Sequence, residues 1–302
     1  MNPPESPARS AAAAAPDRAP ADRGLALQNA TYRYAGAATP ALHEVSFSLA
    51  PGEVLGVVGP NESGKSTLCL VAAGLAPASI GGQLQGSVAI DGVETVALKP
   101  FELAQRCGIL FQNALTQLSG TSRSVWEEVA FGPRNLGLPL AEVVGRVESA
   151  LALIGIEALA PRDPGRLSGG QAQLVALASV LALRPGYLIL DEPTSQLDPQ
   201  GTHLVGEALA HLAAESSTGI LIVEHKTDLL ARVAGRILVL DAGRVVLAGP
   251  TVEVLGDARI RALGVEPPSL VTLGRAIAAA GRSIDPELLR PETWAEPAAG
   301  PA

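Results

Sequence analysis

The clearest chemical pattern in the chain lies at positions 59–66, which read GPNESGKS. This segment fits G-x-x-x-x-G-K-[ST], a loop whose backbone N–H groups converge on phosphate oxygens at a helix N-terminus. An apolar strand is predicted before it at 53–58 and a helix after it at 65–75, which is the context the pattern requires. The sequence therefore predicts a site for ATP and Mg²⁺, and its binding residues are Asn61, Gly64, Lys65, Ser66 and Thr67.

Side chains in this loop have distinct predicted roles. Lys65 is one of three lysines in a chain that otherwise uses arginine, and a compact ammonium suits contact with the β- and γ-phosphates. Ser66 is expected to ligate Mg²⁺, and Thr67 to hold the α-phosphate region. Glu62 is a poor candidate for a catalytic carboxylate, because a negative charge there would repel bound phosphates. We expect its N–H to join the loop and its side chain to point to solvent.

A second pattern, YLILDEPTSQLDP at 187–199, places two carboxylates directly after an apolar strand. The carboxyl ends of buried parallel strands form the ligand edge of an α/β sheet. Asp191 is predicted to hold Mg²⁺ through water, and Glu192 to polarise the attacking water. Without the phosphate loop, two acidic residues ending an ordinary strand would be the better interpretation.

The elements that must position these residues are those of an α/β fold. Short β-rich segments begin near Leu25, helical patterns follow, and the uniformly apolar strands YLILD, GILIVE and RILVLD return later. Such strands, separated by helix-length segments, indicate a parallel sheet covered on both faces. We predict a disordered tail at 1–23, one domain at 24–250 with a helical insertion at about 113–165, and an extension at 251–302 whose end is disordered.

Composition excludes several other classes of protein. The net charge of −8 and the pI near 5.1 argue against wide contact with nucleic-acid phosphates. Mean hydropathy is high at +0.28, yet the most apolar stretch, 173–190, is interrupted by Arg184, Pro185 and Gly186, so a water-soluble chain is expected. Cys69 and Cys107 are expected to be reduced and buried, with a disulfide as the alternative.

The segment RLSGGQAQLVALASVLAL at 166–183 resembles the signature motif of ABC ATPases. Further residues match other motifs of that family in order: Tyr34 the adenine-stacking aromatic, Gln112 the Q-loop glutamine, Asp198 the D-loop aspartate and His225 the switch histidine. Tyr32 competes with Tyr34, because both lie on one face of a strand. The resemblance spans about 25 to 250 and favours Tyr34.

This resemblance implies a P-loop NTPase fold with a RecA-like core, an antiparallel β subdomain and an inserted helical subdomain. It also implies that the signature residues bind the γ-phosphate of ATP held by a second subunit; they are Ser168, Gly169, Gly170 and Gln171. Gln112 would join Ser66 and Asp191 around Mg²⁺. Lys65, Glu192 and His225 would form the catalytic set.

Two segments, 110–139 and 241–276, resemble ATPases of energy-coupling factor transporters, which import vitamins and transition-metal ions. Four positions depart from the usual motifs, and they are Leu174 for arginine, Ala114 and Leu115 for Pro and Asp, and Gln196 for a small residue. These departures concern coupling and dimer contacts and leave the hydrolytic residues intact.

The expected function is thus ATP hydrolysis that energises such an importer, at the cytoplasmic side of the cell membrane. The implied partners are a second ABC ATPase subunit, identical or not, a multi-helix membrane coupling subunit and a small membrane substrate-capture subunit. No nucleic-acid partner is expected. Two alternatives are a nucleic-acid ATPase of the SMC or DNA-repair kind, and a regulatory ABC module that does not hydrolyse ATP.

Overall fold

The computed structural model describes residues 23–281, so the predictions for residues 1–22 and 282–302 lie outside the described part of the chain. Its strands are β1 Leu25–Arg33, β2 Leu42–Leu49, β3 Val54–Val58, β4 Gln83–Ile90, β5 Val93–Glu94, β6 Cys107–Leu110, β7 Tyr187–Asp191, β8 Gly219–Val223, β9 Arg236–Asp241 and β10 Arg244–Pro250. Its α-helices are α1 Lys65–Ala72, α2 Pro100–Arg106, α3 Val125–Asn135, α4 Leu140–Ile154, α5 Gly169–Leu181, α6 Pro199–Glu215, α7 Thr227–Val233, α8 Thr251–Gly256 and α9 Ser269–Ala279.

These strands form two sheets. One has the order β2-β1-β4-β5 and is antiparallel. The other has the order β10-β9-β3-β8-β7-β6, and its strands are parallel except for β10, which runs antiparallel to β9. Because neighbouring parallel strands end on the same side, the loops after β3, β6, β7 and β8 meet at one edge.

The six-stranded sheet is buried on both faces, as the uniformly apolar strands predict. All five residues of β3, β7 and β8 are buried. Alternate residues enter different cores: Ile220 and Ile222 pack with the helices α3 to α6, whereas Leu221 and Val223 pack with α1 and the antiparallel sheet. This double covering fixes the positions of the strand ends.

The helix after the phosphate loop, α1, is three residues shorter than the predicted 65–75. It ends at Ala72 because Gly74 adopts φ 69° and its N–H donates to the Val71 carbonyl, while the N–H of Leu75 donates to Leu70. Such a left-handed glycine terminates helices commonly. The predicted strand at 53–58 corresponds to β3.

The helical segment predicted at 113–165 contains α3 and α4, of 11 and 15 residues. Neither is long enough to form the extended coiled coil of an SMC-like ATPase. Within residues 23–281, no helix has the length and apolar character needed to cross a membrane. Cys69 and Cys107 are both buried and free, as predicted for reduced thiols.

Candidate functional site: a nucleotide cleft at the sheet edge

An open cleft of about 680 Å³ lies where the loops after β3, β6 and β7 converge. Seven of the predicted site residues line it, and they are Asn61, Gly64, Lys65, Ser66, Thr67, Gln112 and Glu192. The opposite wall, which sequence reasoning did not identify, consists of Thr39, Pro40, Ala41, His43, Ala242 and Gly243. The sequence signal for this wall is Gly243, a turn residue between two apolar segments, and in the structure Ala242 and Gly243 form the β9–β10 turn with positive φ angles.

Two glycines allow the loop between β3 and α1 to pack tightly against neighbouring backbone. Gly64, the residue before α1, has φ 100°, and a Cβ placed there would lie 2.7 Å from the Ala41 carbonyl oxygen. Gly59 has φ 156°, and a Cβ there would overlap the carbonyl oxygen of Leu240. Only glycine allows the backbone this close to its neighbours, which leaves the loop N–H groups free to surround an anion.

The ammonium group of Lys65 folds back over the loop. Its Nζ donates to the carbonyl oxygens of Gly59 at 2.9 Å and Pro60 at 2.7 Å. Burial lowers the pKa of Lys65, and the carboxylates of Glu192 and Asp191 oppose that shift. A cation held this way can exchange two carbonyl contacts for charge-assisted bonds to phosphate oxygens.

Glu62 adopts φ 63°, and its side chain is exposed. A non-glycine residue in the left-handed region is uncommon and carries a backbone cost. The exposure of its side chain agrees with the expectation that the Glu62 carboxylate points to solvent.

Asp191, the last residue of β7, is 6% exposed, and its Oδ1 has no hydrogen-bond partner among the described residues. Burial raises the pKa of Asp191, and a hydrogen bond from the Ser66 side chain opposes that shift. A buried carboxylate oxygen without a partner beside a serine hydroxyl fits a hard divalent cation, because Mg²⁺ prefers oxygen ligands. The donor set of Ser66, Asp191 and Gln112 therefore suits Mg²⁺.

Glu192 lies between two polar side chains. Its Oε2 accepts a hydrogen bond from Gln112 Nε2 at 2.8 Å, and its Oε1 lies 3.1 Å from His225 Nε2. Its backbone has φ 52° and is held by a hydrogen bond from its N–H to the Val223 carbonyl at 2.9 Å. Strained residues of this kind persist where the surrounding structure fixes them, often at active sites.

The signature residues lie at the N-terminus of α5 and are not among the residues that line the cleft of the same chain. Ser168 caps the helix: its Oγ accepts from the Gln171 N–H, and Gln171 Oε1 accepts from the Ser168 N–H. This reciprocal capping fixes the first turn, whose N–H groups form an anion site. The structure thus separates the signature residues from the cleft within one chain.

The D-loop contacts the signature turn. A Cβ at Gly169 would lie 2.7 Å from Oε1 of Gln196, one of the departures from the family pattern. Asp198 caps α6, since its Oδ1 accepts from the Gly201 N–H at 2.7 Å. The side chain of Gln196 therefore lies against the first turn of α5.

The other departures have simple structural consequences. Leu174 is buried in the core that α5 forms with α3 and α4, where an apolar side chain is accommodated. Ala114 is also fully buried, whereas Leu115 is 57% exposed. The loop after β6 thus has an apolar side chain on its outer surface.

Glu128, which sequence reasoning did not single out, fixes this loop. It is 4% exposed, and its two oxygens accept from the N–H and Oγ of Ser119 at 2.6 and 2.7 Å. The signal for it was a glutamate on the buried face of α3, within the segment VWEEVAF. A paired, buried carboxylate holds the 113–124 loop against α3.

The two candidate aromatic residues differ in access. Tyr32 is fully buried, and its hydroxyl donates to the Gly81 carbonyl. Tyr34 is partly exposed, and its hydroxyl lies 3.1 Å from Thr67 Oγ1, beside the phosphate loop. Of the two, Tyr34 is therefore the one that lies beside the phosphate loop, although it does not line the cleft itself.

The sheet order, the glycine-closed loop and the strand-end carboxylates define a P-loop NTPase with an ABC-type cassette. The ABC transporter family profile matches residues 42–195. The chain is 41% identical to the energy-coupling factor transporter ATP-binding protein EcfA of Methanosarcina acetivorans, over 84% of this chain and 89% of that protein. This chain belongs to the ABC transporter family.

Solved structures agree with this assignment. CbiO1 of Clostridium perfringens, part of the ABC transporter complex cbiONQ, matches with a TM-score of 0.67 and 33% identity, over 82% of this chain and 97% of that one. The dimeric cassette MJ0796 matches with a TM-score of 0.67 and 28% identity, over 75% of this chain and 98% of that one. The chain is an ATPase, and these relatives give no support to a nucleic-acid ATPase or a non-hydrolysing module.

Proposed function

We propose that this chain is the ATP-hydrolysing subunit of an energy-coupling factor importer for a vitamin or a transition-metal ion. The observation that carries the proposal is the 41% identity to EcfA over 84% of the chain. The likeness to CbiO1 supports the same group. As a peripheral subunit on the cytoplasmic side of the cell membrane, the chain would act with a multi-helix coupling subunit and a small substrate-capture subunit.

The side chains of the cleft supply the chemistry of hydrolysis. Lys65 leaves its loop carbonyls and contacts the β- and γ-phosphates, while Thr67 and the loop N–H groups hold the remaining oxygens. Glu192 accepts a proton from the attacking water, and His225 steadies the γ-phosphate as charge develops. Tyr34 stacks on the adenine. Mg²⁺, when bound by Ser66, Gln112 and Asp191, would neutralise phosphate charge.

A second ATPase subunit completes the site. Because Ser168, Gly169, Gly170 and Gln171 lie apart from the cleft of their own chain, they would bind the γ-phosphate of ATP held by the partner. A Ser168→Arg variant should bind ATP as a lone subunit but hydrolyse it at least about tenfold more slowly, since a bulky cation blocks closure. Full hydrolysis by this variant, or a specific rate independent of protein concentration, would contradict the two-subunit site.

A membrane partner would dock on the surface after the Q-loop. Leu115 and Phe131 are 57% and 45% exposed, and both lie in the 113–135 segment that follows Gln112. Exposed apolar side chains in the segment that follows the Q-loop suit a partner helix that moves when the cleft closes. A membrane partner docked at this position would couple closure of the cleft to transport.

Copurification with the membrane subunits tests the importer proposal. The chain and the membrane proteins encoded beside its gene are expressed together, and the complex is isolated in detergent through a tag on the chain. A Leu115→Glu, Phe131→Glu double variant should lose the membrane subunits while keeping its ATP affinity. Leu140→Glu is the matched control, because Leu140 is 72% exposed but lies on α4 outside the segment. Absence of copurifying membrane protein with the parent chain would refute the proposal.

A further inference from the structure

Residues 224–226 connect β8 to α7 and begin with a buried carboxylate. Glu224 is 2% exposed. Its Oε2 accepts from Thr194 Oγ1 at 2.8 Å, and its Oε1 accepts from the backbone N–H groups of His225 at 3.0 Å and Lys226 at 3.3 Å. Burial of a charge is costly unless it is hydrogen-bonded, and this carboxylate has partners on both oxygens.

A second bridge runs parallel to the first. Lys226 Nζ donates to the Thr194 carbonyl at 3.0 Å and to Thr202 Oγ1 on α6 at 2.7 Å. Thr194 itself is fully buried and lies two residues after Glu192. Glu224, Thr194 and Lys226, here called the Glu224 cluster, therefore join the backbone that carries His225 to the backbone that carries Glu192.

The His225 ring depends on this backbone for its position. Its side chain is 45% exposed, and within residues 23–281 its one hydrogen-bond partner is Glu192 Oε1. An exposed imidazole with a single contact is positioned mainly by its own main chain. Because displacement of a catalytic group by about 1 Å can cost about 10² in rate, the N–H contacts of Glu224 matter for chemistry.

We propose that Glu224 is a positioning residue for ATP hydrolysis. By accepting the N–H groups of His225 and Lys226 and the hydroxyl of Thr194, it holds the His225 imidazole against Glu192. The inference rests on the role proposed above for His225. Glu224 lines no part of the nucleotide cleft, so it acts through His225 and not on ATP directly.

The test is a double-mutant cycle measured on the full-length protein. Glu224→Ala, His225→Ala and the double variant are compared with the parent in kcat, KM for ATP and melting temperature. Glu224→Ala should lower kcat about 10²-fold and leave KM within about threefold. In the His225→Ala background the same change should have no further effect on kcat, because the group it positions is gone.

The conservative variant Glu224→Gln separates positioning from charge. Its amide oxygen can still accept both N–H groups and its amide nitrogen can donate to the Thr194 oxygen, so kcat should stay within about fivefold of the parent. Should Glu224→Ala fail to fold, Thr194→Val removes the hydroxyl contact alone. Thr194→Val is then expected to lower kcat in the parent but not in the His225→Ala background.

The outcomes distinguish this inference from the proposed function. The role of Glu224 would be overturned if kcat of the double variant fell by the product of the two single reductions. A parental kcat for Glu224→Ala would overturn it as well. In both cases the role of His225 would stand. A lower melting temperature with unchanged kcat would also overturn it, since that is the effect of a purely structural carboxylate. Parental hydrolysis by His225→Ala would instead refute the proposed catalytic set.

Discussion

Replacing Glu192 by glutamine changes the chemistry of the proposed base while keeping its surroundings. Glu192 accepts from Gln112 through Oε2 and faces His225 Nε2 through Oε1, and its side chain is 15% exposed. A glutamine can accept from Gln112 through its oxygen and donate to a neutral His225 ring through its nitrogen. The substitution thus removes a proton acceptor and a negative charge without a change of volume.

The size of the effect follows from what is lost. A positioned general base contributes about 10²–10⁴ in rate, which corresponds to about 3–5 kcal/mol of activation free energy. Hydrolysis by Glu192→Gln should fall by that factor. Nucleotide affinity should persist or rise, because Lys65, Ser66 and Thr67 remain and a carboxylate beside the γ-phosphate is gone.

Phosphate release and light scattering measure the two consequences separately. With ATP and Mg²⁺, Glu192→Gln should accumulate as a closed dimer, seen as an ATP- and concentration-dependent doubling of mass. Asp191→Asn is the control, since it should weaken Mg²⁺ binding and give no such accumulation. Hydrolysis by Glu192→Gln at the parental rate would mean that the base lies elsewhere.

Three further predictions concern single groups in the cleft and its supporting core. Lys65→Ala should weaken ATP binding about 10- to 100-fold, because a charge-assisted contact is lost. Lys99 is exposed, so Lys99→Ala is the control and should leave ATP binding unchanged. Titration with a fluorescent nucleotide measures the affinity of both variants. Burial raises the pKa of Cys69 and brings that of Cys107 to about 12, so thiol reagents at pH 8 should react with both only after unfolding. Burial raises the pKa of Asp191 in the folded state, so stability is lost as pH rises through that pKa. Asp191→Asn without nucleotide should therefore have a higher melting temperature than the parent at pH 7, and this difference should shrink toward pH 4.

The sequence predicted the phosphate loop and the strand-end carboxylates because their signals are local. Two glycines, a lysine and a following helix are compatible with one backbone geometry, and the structure places Gly64 and Lys65 accordingly. Uniformly apolar strands likewise predicted a sheet buried on both faces. The boundary of α1 was less accurate, because Gly74 ends the helix through backbone contacts that no periodic pattern records.

Contacts between residues that are far apart in the sequence could not be predicted without the structure. Glu224 contacts Thr194 from 30 positions away, and Lys226 reaches Thr202 from 24 positions away. In the sequence, Glu224 or Lys226 taken alone cannot be distinguished from an exposed polar residue at a strand end. The wall formed by Thr39 to His43 is similar, because its place beside the loop depends on how β2 packs near the β9–β10 turn.

In the proposed mechanism, one subunit holds the hydrolytic groups and still needs a partner, and the arrangement of the cleft gives a physical reason for this. Lys65 is engaged with carbonyls of its own loop, and Glu192 is engaged with Gln112 and His225. Gln112 donates through its nitrogen, so its oxygen, the atom that Mg²⁺ requires, is not used in this contact. In the proposed mechanism, these internal contacts would be exchanged for contacts with nucleotide and water. Because Ser168 caps α5 outside the cleft, we infer that the anion site which would stabilise the exchanged state comes from a second subunit, so that catalysis would depend on dimer closure.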